Sequence, residues 1–298
     1  MMRIALTYIS IGMGMNESLY LPQPVAGEGF TLRSSSCVGT PSVTKEYGKA
    51  AAEALMADVT ELEALMFGAA THRVVLVLQG LDASGKDGVV RFVIGRGDPV
   101  TSLVTSFKMP TPAEAGRDFL WRVHHAVPPR GMLGIFNRSH YEDVVATRVR
   151  DTIDAQTQAQ RIGHITAFES LLTDDRTILI KCYLHIDADE QSTRLLAREH
   201  ELITAWKLAP DDWHDRGLFE SYLDVYSDVM LRTSTDRAPW YVVPANRKWY
   251  RNLVIAGLLK QHMEPYRAAW AQTLQQMQTE RIAAIESVRQ RSTGGTGR

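Results

Sequence analysis

The 298 residues carry 33 Lys and Arg against 34 Asp and Glu, so the net charge of −1 gives no overall attraction for polyanions, which must come from local basic patches. A hydrophobic content of 45% supports a sizeable core in one or two domains. Two cysteines, Cys37 and Cys182, exclude a disulfide framework, and no run of 18 apolar residues is present to cross a membrane, a composition that fits a soluble, cytoplasmic enzyme.

Residues 1–44 hold Gly, Pro and Ser without clear periodicity and read as a flexible N-terminal arm. Ile4 to Met15 is mildly apolar, but Thr7, Tyr8 and Ser10 interrupt it and no small-residue cleavage site follows. A start placed too far upstream, with Met13 or Met15 as the first residue, or a disordered leader fits better than a signal peptide. A single domain is expected over 45–290. Glu46 to Phe67 is Ala- and Leu-rich and predicts a helix, and Arg73 to Gln79 predicts a buried strand. A glycine-bounded loop follows, and Val89 to Ile94 starts a helix. Thr101 to Phe107 is a β-branched strand, Pro112 to Val127 a helix, and Met132 to Phe136 a short buried strand. Gln156 to Leu172 is helical, and Thr177 to Ile186 is a strand holding Cys182 as a buried thiol. Glu190 to Ala205 and Asp211 to Thr233 read as helices, and Trp240 to Val243 as the last strand. Trp249 to His262 and Pro265 to Arg289 are helical, and 291–298 form a flexible tail. Strands alternating with helices predict a parallel sheet covered on both faces, with the ligand at the carboxyl ends of the strands.

Gly80-Leu-Asp-Ala-Ser-Gly-Lys-Asp-Gly88 joins the first buried strand to a helix, the context of a phosphate-binding loop. Its backbone N–H groups and the helix N-terminus offer partial positive charge, and Lys86, expected to face solvent in the loop, adds a full one. Asp87 stands where a Ser or Thr usually binds Mg²⁺, and Asp82 sits inside the loop. Two acids in such a cradle imply a metal, proton handling or a role in positioning Lys86. At the end of a later buried strand, Asn137 occupies a position where many such enzymes place an acid, and Arg138 follows with a planar fork suited to phosphate oxygens. Glu142 and Asp143 read either as site residues or as acids favoured at a helix N-terminus. Arg194, Arg198, Lys207 and Arg216 read as a solvated basic face or as a lid bringing charge over a transferring group.

Four segments in order resemble the polyphosphate kinases of the second type, P-loop kinases similar to thymidylate kinases. They are the Gly80–Gly88 loop with its internal Asp, Asp118-Phe-Leu-Trp121-Arg122, Ile135 to Asp143, and Ala238 to Asn252. Asn137 resembles the class III branch, known for accepting both AMP and ADP. The resemblance implies an α/β P-loop kinase fold, with a five-stranded parallel sheet flanked by helices and a helical lid at about 194–216. It implies transfer of a terminal phosphoryl group from inorganic polyphosphate to AMP or ADP, with GDP as a further acceptor, using Mg²⁺ or Mn²⁺. The implied partners are these substrates and further copies of the chain, as a dimer or tetramer, without nucleic acid or membrane. Gly80, Ala83, Ser84, Gly85, Lys86, Asp87 and Gly88 would cradle phosphate. Asp82, as metal ligand, Lys86 and Arg138 would be catalytic, and Arg194, Arg198, Lys207 and Arg216 would form the lid. Lys108, Asp118, Arg122, Asn137 and Glu142 would face the acceptor. The lid departs from the family, with Glu201-Leu202 for Asp-Pro and Thr204 for a Lys. An ATP-dependent nucleoside monophosphate kinase and a degenerate phosphate-binding protein are the alternative readings.

Overall fold

A run with no polar side chain from Val74 to Leu78 fits only inside a sheet covered on both faces. In the computed structural model, which describes residues 7–9, 19–207 and 209–293, that run is the centre of β3 (Arg73–Gln79). The sheet is parallel throughout, in the order β4 (Ser102–Ser106), β5 (Leu133–Asn137), β3, β6 (Thr177–His185), β7 (Trp240–Pro244). Alternation along β3 divides the core. Val74, Leu76 and Leu78 face α1 (Lys45–Ala69), α2 (Lys86–Ile94) and α10 (Lys248–Met263). Val75 and Val77 face α6 (Ala155–Asp174) and α9 (Phe219–Thr233). The phosphate loop leaves β3 where its two neighbours, β5 and β6, lie on opposite sides, so the sheet itself opens a crevice at the carboxyl ends of the strands.

Three predicted helices are broken, each at an identifiable residue. The helix expected over Pro112 to Val127 is two, α3 (Pro112–Ala115) and α4 (Trp121–Ala126), parted after Gly116 by a turn that the Asp118 carboxylate closes on the Leu120 N–H at 3.0 Å. A short helix, α5 (Ala146–Val149), precedes α6. The helix expected from Glu190 is α7 (Ala188–His200), and a 3₁₀ turn, Leu202–Lys207, follows it. The segment expected as one helix from Asp211 is α8 (Pro210–Gly217) and α9, separated at Leu218. The chain closes with α11 (Arg267–Thr293), so residues 291–293 expected in the tail are helical, and 294–298 lie outside the described residues.

The expectation of a loosely attached arm does not hold over 21–44. Leu21 and Leu32 are fully buried, the Val25 N–H donates to the Trp240 carbonyl at 2.8 Å, and the Asn246 N–H donates to the Cys37 carbonyl at 3.0 Å. Isolated apolar residues, too few for periodicity, tie the segment down. Nearer the start, Thr7–Ile9 (β1) pairs antiparallel with Leu19–Leu21 (β2), while Met13 and Met15 lie outside the described residues. Among the described residues no helix is long and apolar enough to cross a membrane.

Candidate active site

The loop after β3 needs its glycines. Gly80 has φ +147°, where a Cβ would meet the Leu184 carbonyl at 2.7 Å. Gly85, at φ +101°, caps α2, and a Cβ there would collide with the Arg251 guanidinium. Lys86, expected in a solvent-facing loop, is only 8% exposed: its Nζ turns inward and donates to the Gly80 carbonyl at 2.6 Å and the Leu81 carbonyl at 3.1 Å. Burial, aided by Arg138, pulls its pKa down to about 8, against the pull of Asp82, Glu142 and Asp87.

Arg138 follows β5 in the left-handed region, φ +63°, with its N–H on the Leu78 carbonyl at 3.0 Å. This bend sends its side chain across the loop, where Nη2 donates to Asp82 at 2.6 Å and Nη1 lies 3.5 Å from Glu142. The two carboxylates differ. Burial pushes Asp82 up, but Lys86, Arg138, Arg198 and Arg150 outweigh it and hold Asp82 below the usual carboxylate range. Burial also raises Glu142, and there it prevails over Arg138 and Lys86. Asp82 is therefore the ionised member and Glu142 the one that keeps a proton more readily. Asn137 does more than a neutral placeholder: its Nδ2 donates to Asp87 at 2.8 Å, and Lys207 pairs with the other oxygen. Burial raises Asp87, yet these two hydrogen bonds and the charge of Lys86 hold it low.

The lid brings Lys207 from the 3₁₀ turn onto the loop through Asp87. Behind it, Arg198 pairs with Asp212 at 2.8 Å and Arg150 grips Asp215 at 2.5 and 3.2 Å. Arg216 lies beside Trp213, its Nε buried without a hydrogen-bond partner among the described residues, and makes no ion pair with the loop. The side chain of Thr204 is outside the described residues. Arg194 is not a lid cation over the cleft. It donates to the carbonyls of Ala83 (2.9 Å), Ser84 (3.1 Å), Ala245 (2.7 Å) and Asn246 (3.0 Å), and pairs with Glu190 at 2.7 Å, stapling the loop to the end of β7. An i, i+4 spacing with Arg198 does not put both side chains to one use, because Arg194 is a turn closer to the loop.

Arg122, expected to face the acceptor, is buried, donating to Asp143 at 3.0 Å and to the Lys108 carbonyl at 2.7 Å. It orders that flank and is not free to meet a ligand. The Lys108 side chain is exposed, and Asp118 holds its turn. Beside it opens a cleft of about 360 Å³ lined by Asp118, Leu120, Trp121, His124 and His125, with Arg117 over the Trp121 ring at 4.3 Å. Residue-by-residue reading of the sequence missed Arg150 and Arg251. Arg150 carries no local signal. Arg251 does: it is the last of three cations, after Arg247 and Lys248, and stands two residues before the apolar stretch Leu253 to Leu259.

No group of three His, Cys, Asp or Glu converges on a metal position among the described residues. One ionised carboxylate within the loop, Asp82, is compatible with a divalent cation of the kind that takes one or two carboxylates and completes its shell with water and substrate phosphates.

The sequence model of the family described as Polyphosphate kinase 2 (PPK2) matches residues 42–269. An AMP/ADP-polyphosphate phosphotransferase from Meiothermus ruber is 44% identical over 204 residues, 68% of this chain and 76% of that protein. An ADP-polyphosphate phosphotransferase from Rhodopseudomonas palustris is 35% identical over 228 residues, 72% of this chain and 78% of that protein. The crystal structure of polyphosphate kinase 2 from Arthrobacter aurescens TC1 superposes with a TM-score of 0.78 at 40% identity, covering 81% of this chain and 87% of that one. A nine-residue phosphate loop, an arginine bent across it and a lid latched to it thus sit in a domain whose sequence and fold agree with one group of enzymes: the chain belongs to the polyphosphate kinase 2 family.

Proposed function

We propose that the protein transfers the terminal phosphoryl group of inorganic polyphosphate to AMP or ADP, with GDP as a further acceptor. The observation that carries this reading is the crowding of cations at the phosphate loop: Lys86 turns into it, Arg138 pairs with Asp82 and Lys207 with Asp87, and Arg198 and Arg150 stand behind on Asp212 and Asp215. A donor made only of phosphates offers nothing but charge and oxygen acceptors, and this cleft is built to meet both.

Phosphoryl transfer asks the protein for in-line positioning and charge neutralisation rather than covalent chemistry. The loop amides and Lys86 hold the transferring phosphate. Entry of the donor gives Lys86 a full anionic partner in place of the Gly80 and Leu81 carbonyls, which favours its protonated form. Arg138, released from Asp82, neutralises charge on the equatorial oxygens. Arg198 and Lys207 close from the lid and exclude water. Asp82 would hold a divalent cation, which would offset the negative charge of the phosphates. The cleft beside Trp121 is on the acceptor flank and offers a ring for base stacking. We place the enzyme in the cytoplasm, as a homo-oligomer.

The test mixes purified protein and Mg²⁺ with polyphosphate or ATP as donor and AMP, ADP or GDP as acceptor, and resolves the products. Polyphosphate-dependent formation of ADP or ATP is expected. Equal use of ATP as donor to AMP would favour a nucleoside monophosphate kinase, and no transfer in a single turnover would favour a binding protein.

A further inference from the structure

Arg251 stands in the first turn of α10, behind the phosphate loop, 3% exposed. Its Nη1 donates to the Gly85 carbonyl at 3.1 Å, and Nε and Nη2 donate to Asn252 Oδ1 at 3.1 and 2.8 Å. Among the described residues it makes no ion pair with a carboxylate. A guanidinium buried without a counter-charge is costly, so its place calls for a reason. Helix initiation is not that reason. The Gly85 carbonyl already accepts from the N–H groups of Gly88 at 2.9 Å and Val89 at 3.1 Å.

The carbonyl pattern supplies one. Arg194 holds the carbonyls of Ala83 and Ser84, and Arg251 holds that of Gly85, so two guanidiniums grip three consecutive peptide groups from the rear. In a trans peptide the C=O and the following N–H point in opposite directions. Drawing the Ser84 and Gly85 carbonyls backward therefore aims the N–H groups of Gly85 and Lys86 forward. Neither of those N–H groups has an acceptor among the described residues, whereas the Ser84 N–H is occupied by the Leu81 carbonyl at 3.1 Å. Arg194 has Glu190 as counter-charge, and Arg251 has none.

We propose that Arg251 is a positioning residue for the donor: it pins Gly85 from behind, aims the Lys86 N–H into the cradle, and supplies a buried positive charge whose counter-ion is the bound polyphosphate. This rests on the polyphosphate reading. Burial, aided by Arg194, draws the pKa of Arg251 down to about 10, as expected of a cation that the protein alone does not neutralise.

Calorimetric titration with tripolyphosphate tests this on wild type, Arg251→Gln and Arg251→Lys, with steady-state kinetics alongside. Arg251→Gln is expected to weaken binding about tenfold and to raise KM for polyphosphate more than it lowers kcat, the size of one partly screened charge. Arg251→Lys keeps the charge but loses the fork, and is expected to bind about threefold more weakly than wild type and more tightly than Arg251→Gln. Binding is also expected to depend less steeply on NaCl in Arg251→Gln than in wild type. The proposal is overturned if Arg251→Gln binds like wild type, or if Arg251→Lys is as weak as Arg251→Gln, which would leave packing as the sole role. Should Arg251→Gln not fold, Arg251→Lys decides alone by the same threshold. Wild-type protein that transfers no phosphoryl group from polyphosphate and binds no tripolyphosphate would instead overturn the polyphosphate reading.

Discussion

Replacing Lys86 by Met is expected to make the empty enzyme more stable while removing its activity. The ammonium lies 8% exposed among loop carbonyls, and its pKa falls from 10.5 to about 8. In the folded protein the charged form is thus disfavoured by about 3 kcal/mol. The unfolded chain binds the proton more tightly between pH 8 and 10.5, so this contribution makes stability rise with pH across that window. Below pH 8 the full penalty is present. Met keeps the stem and deletes the charge, and losing the hydrogen bonds to Gly80 and Leu81 takes back about 1–2 kcal/mol. The net gain at pH 7 is about 1–2 kcal/mol, or roughly 2–8 °C in Tm for a domain of this size. The kcat should fall about 10²-fold or more, as for loss of a preorganised electrostatic donor. Calorimetric melting at pH 7 and pH 10, with a luminescent assay of ATP formed from ADP, measures both. The Tm advantage should shrink at the higher pH, where wild-type Lys86 sheds its proton. A variant that melts lower than wild type at pH 7, or that keeps most of its kcat, would refute the reasoning.

Asp82→Asn should lose most activity and flatten the Mg²⁺ dependence, because the ionised carboxylate within the loop is replaced by a neutral amide; retained activity with an unchanged metal response would rule out a metal role for Asp82. Glu63, fully buried in α1, is lifted to about 7 by burial, partly opposed by the Asp98 N–H that bonds to it. Folded protein therefore binds its proton more tightly than the unfolded chain between pH 4.5 and about 7, and stability falls as pH rises through that window. Glu63→Gln should leave stability unchanged at pH 4 and raise it by up to about 3 kcal/mol at pH 8, checked by urea unfolding at both. Raising NaCl should increase KM for polyphosphate more than KM for ADP, because the donor is held by cations and backbone amides alone and the acceptor also offers a base; matching salt slopes would count against this. Arg138→Ala, Arg198→Ala and Lys207→Ala should each shift KM for polyphosphate in the same direction as salt, and an unaltered KM in all three would remove the cation cluster from donor binding.

Much of the architecture was legible along the chain. Val74 to Leu78 followed by Gly80 to Gly88 specifies a buried strand, a phosphate cradle and a helix start, because apolar runs and obligatory glycines act through neighbours only a few residues away. The alternation of strands and helices likewise foretold the parallel sheet. Tertiary structure alone decided what the charged side chains meet. Nothing near Arg194 in sequence says that its guanidinium would lie behind the loop on the carbonyls of Ala83 and Ser84, 111 and 110 residues away. Nothing near Arg122 says that Asp143 would hold its guanidinium. Lys86 was placed in the right loop but on the wrong side of the surface, since burial depends on what packs over a residue. The arm over 21–44 was misjudged for the same reason: Leu21 and Leu32 have no periodicity of their own and find their partners on elements far along the chain. Backbone geometry and apolar periodicity are local, and therefore readable in sequence. The partner of a long cationic side chain is fixed only when distant strands and helices have been brought to one end of the sheet.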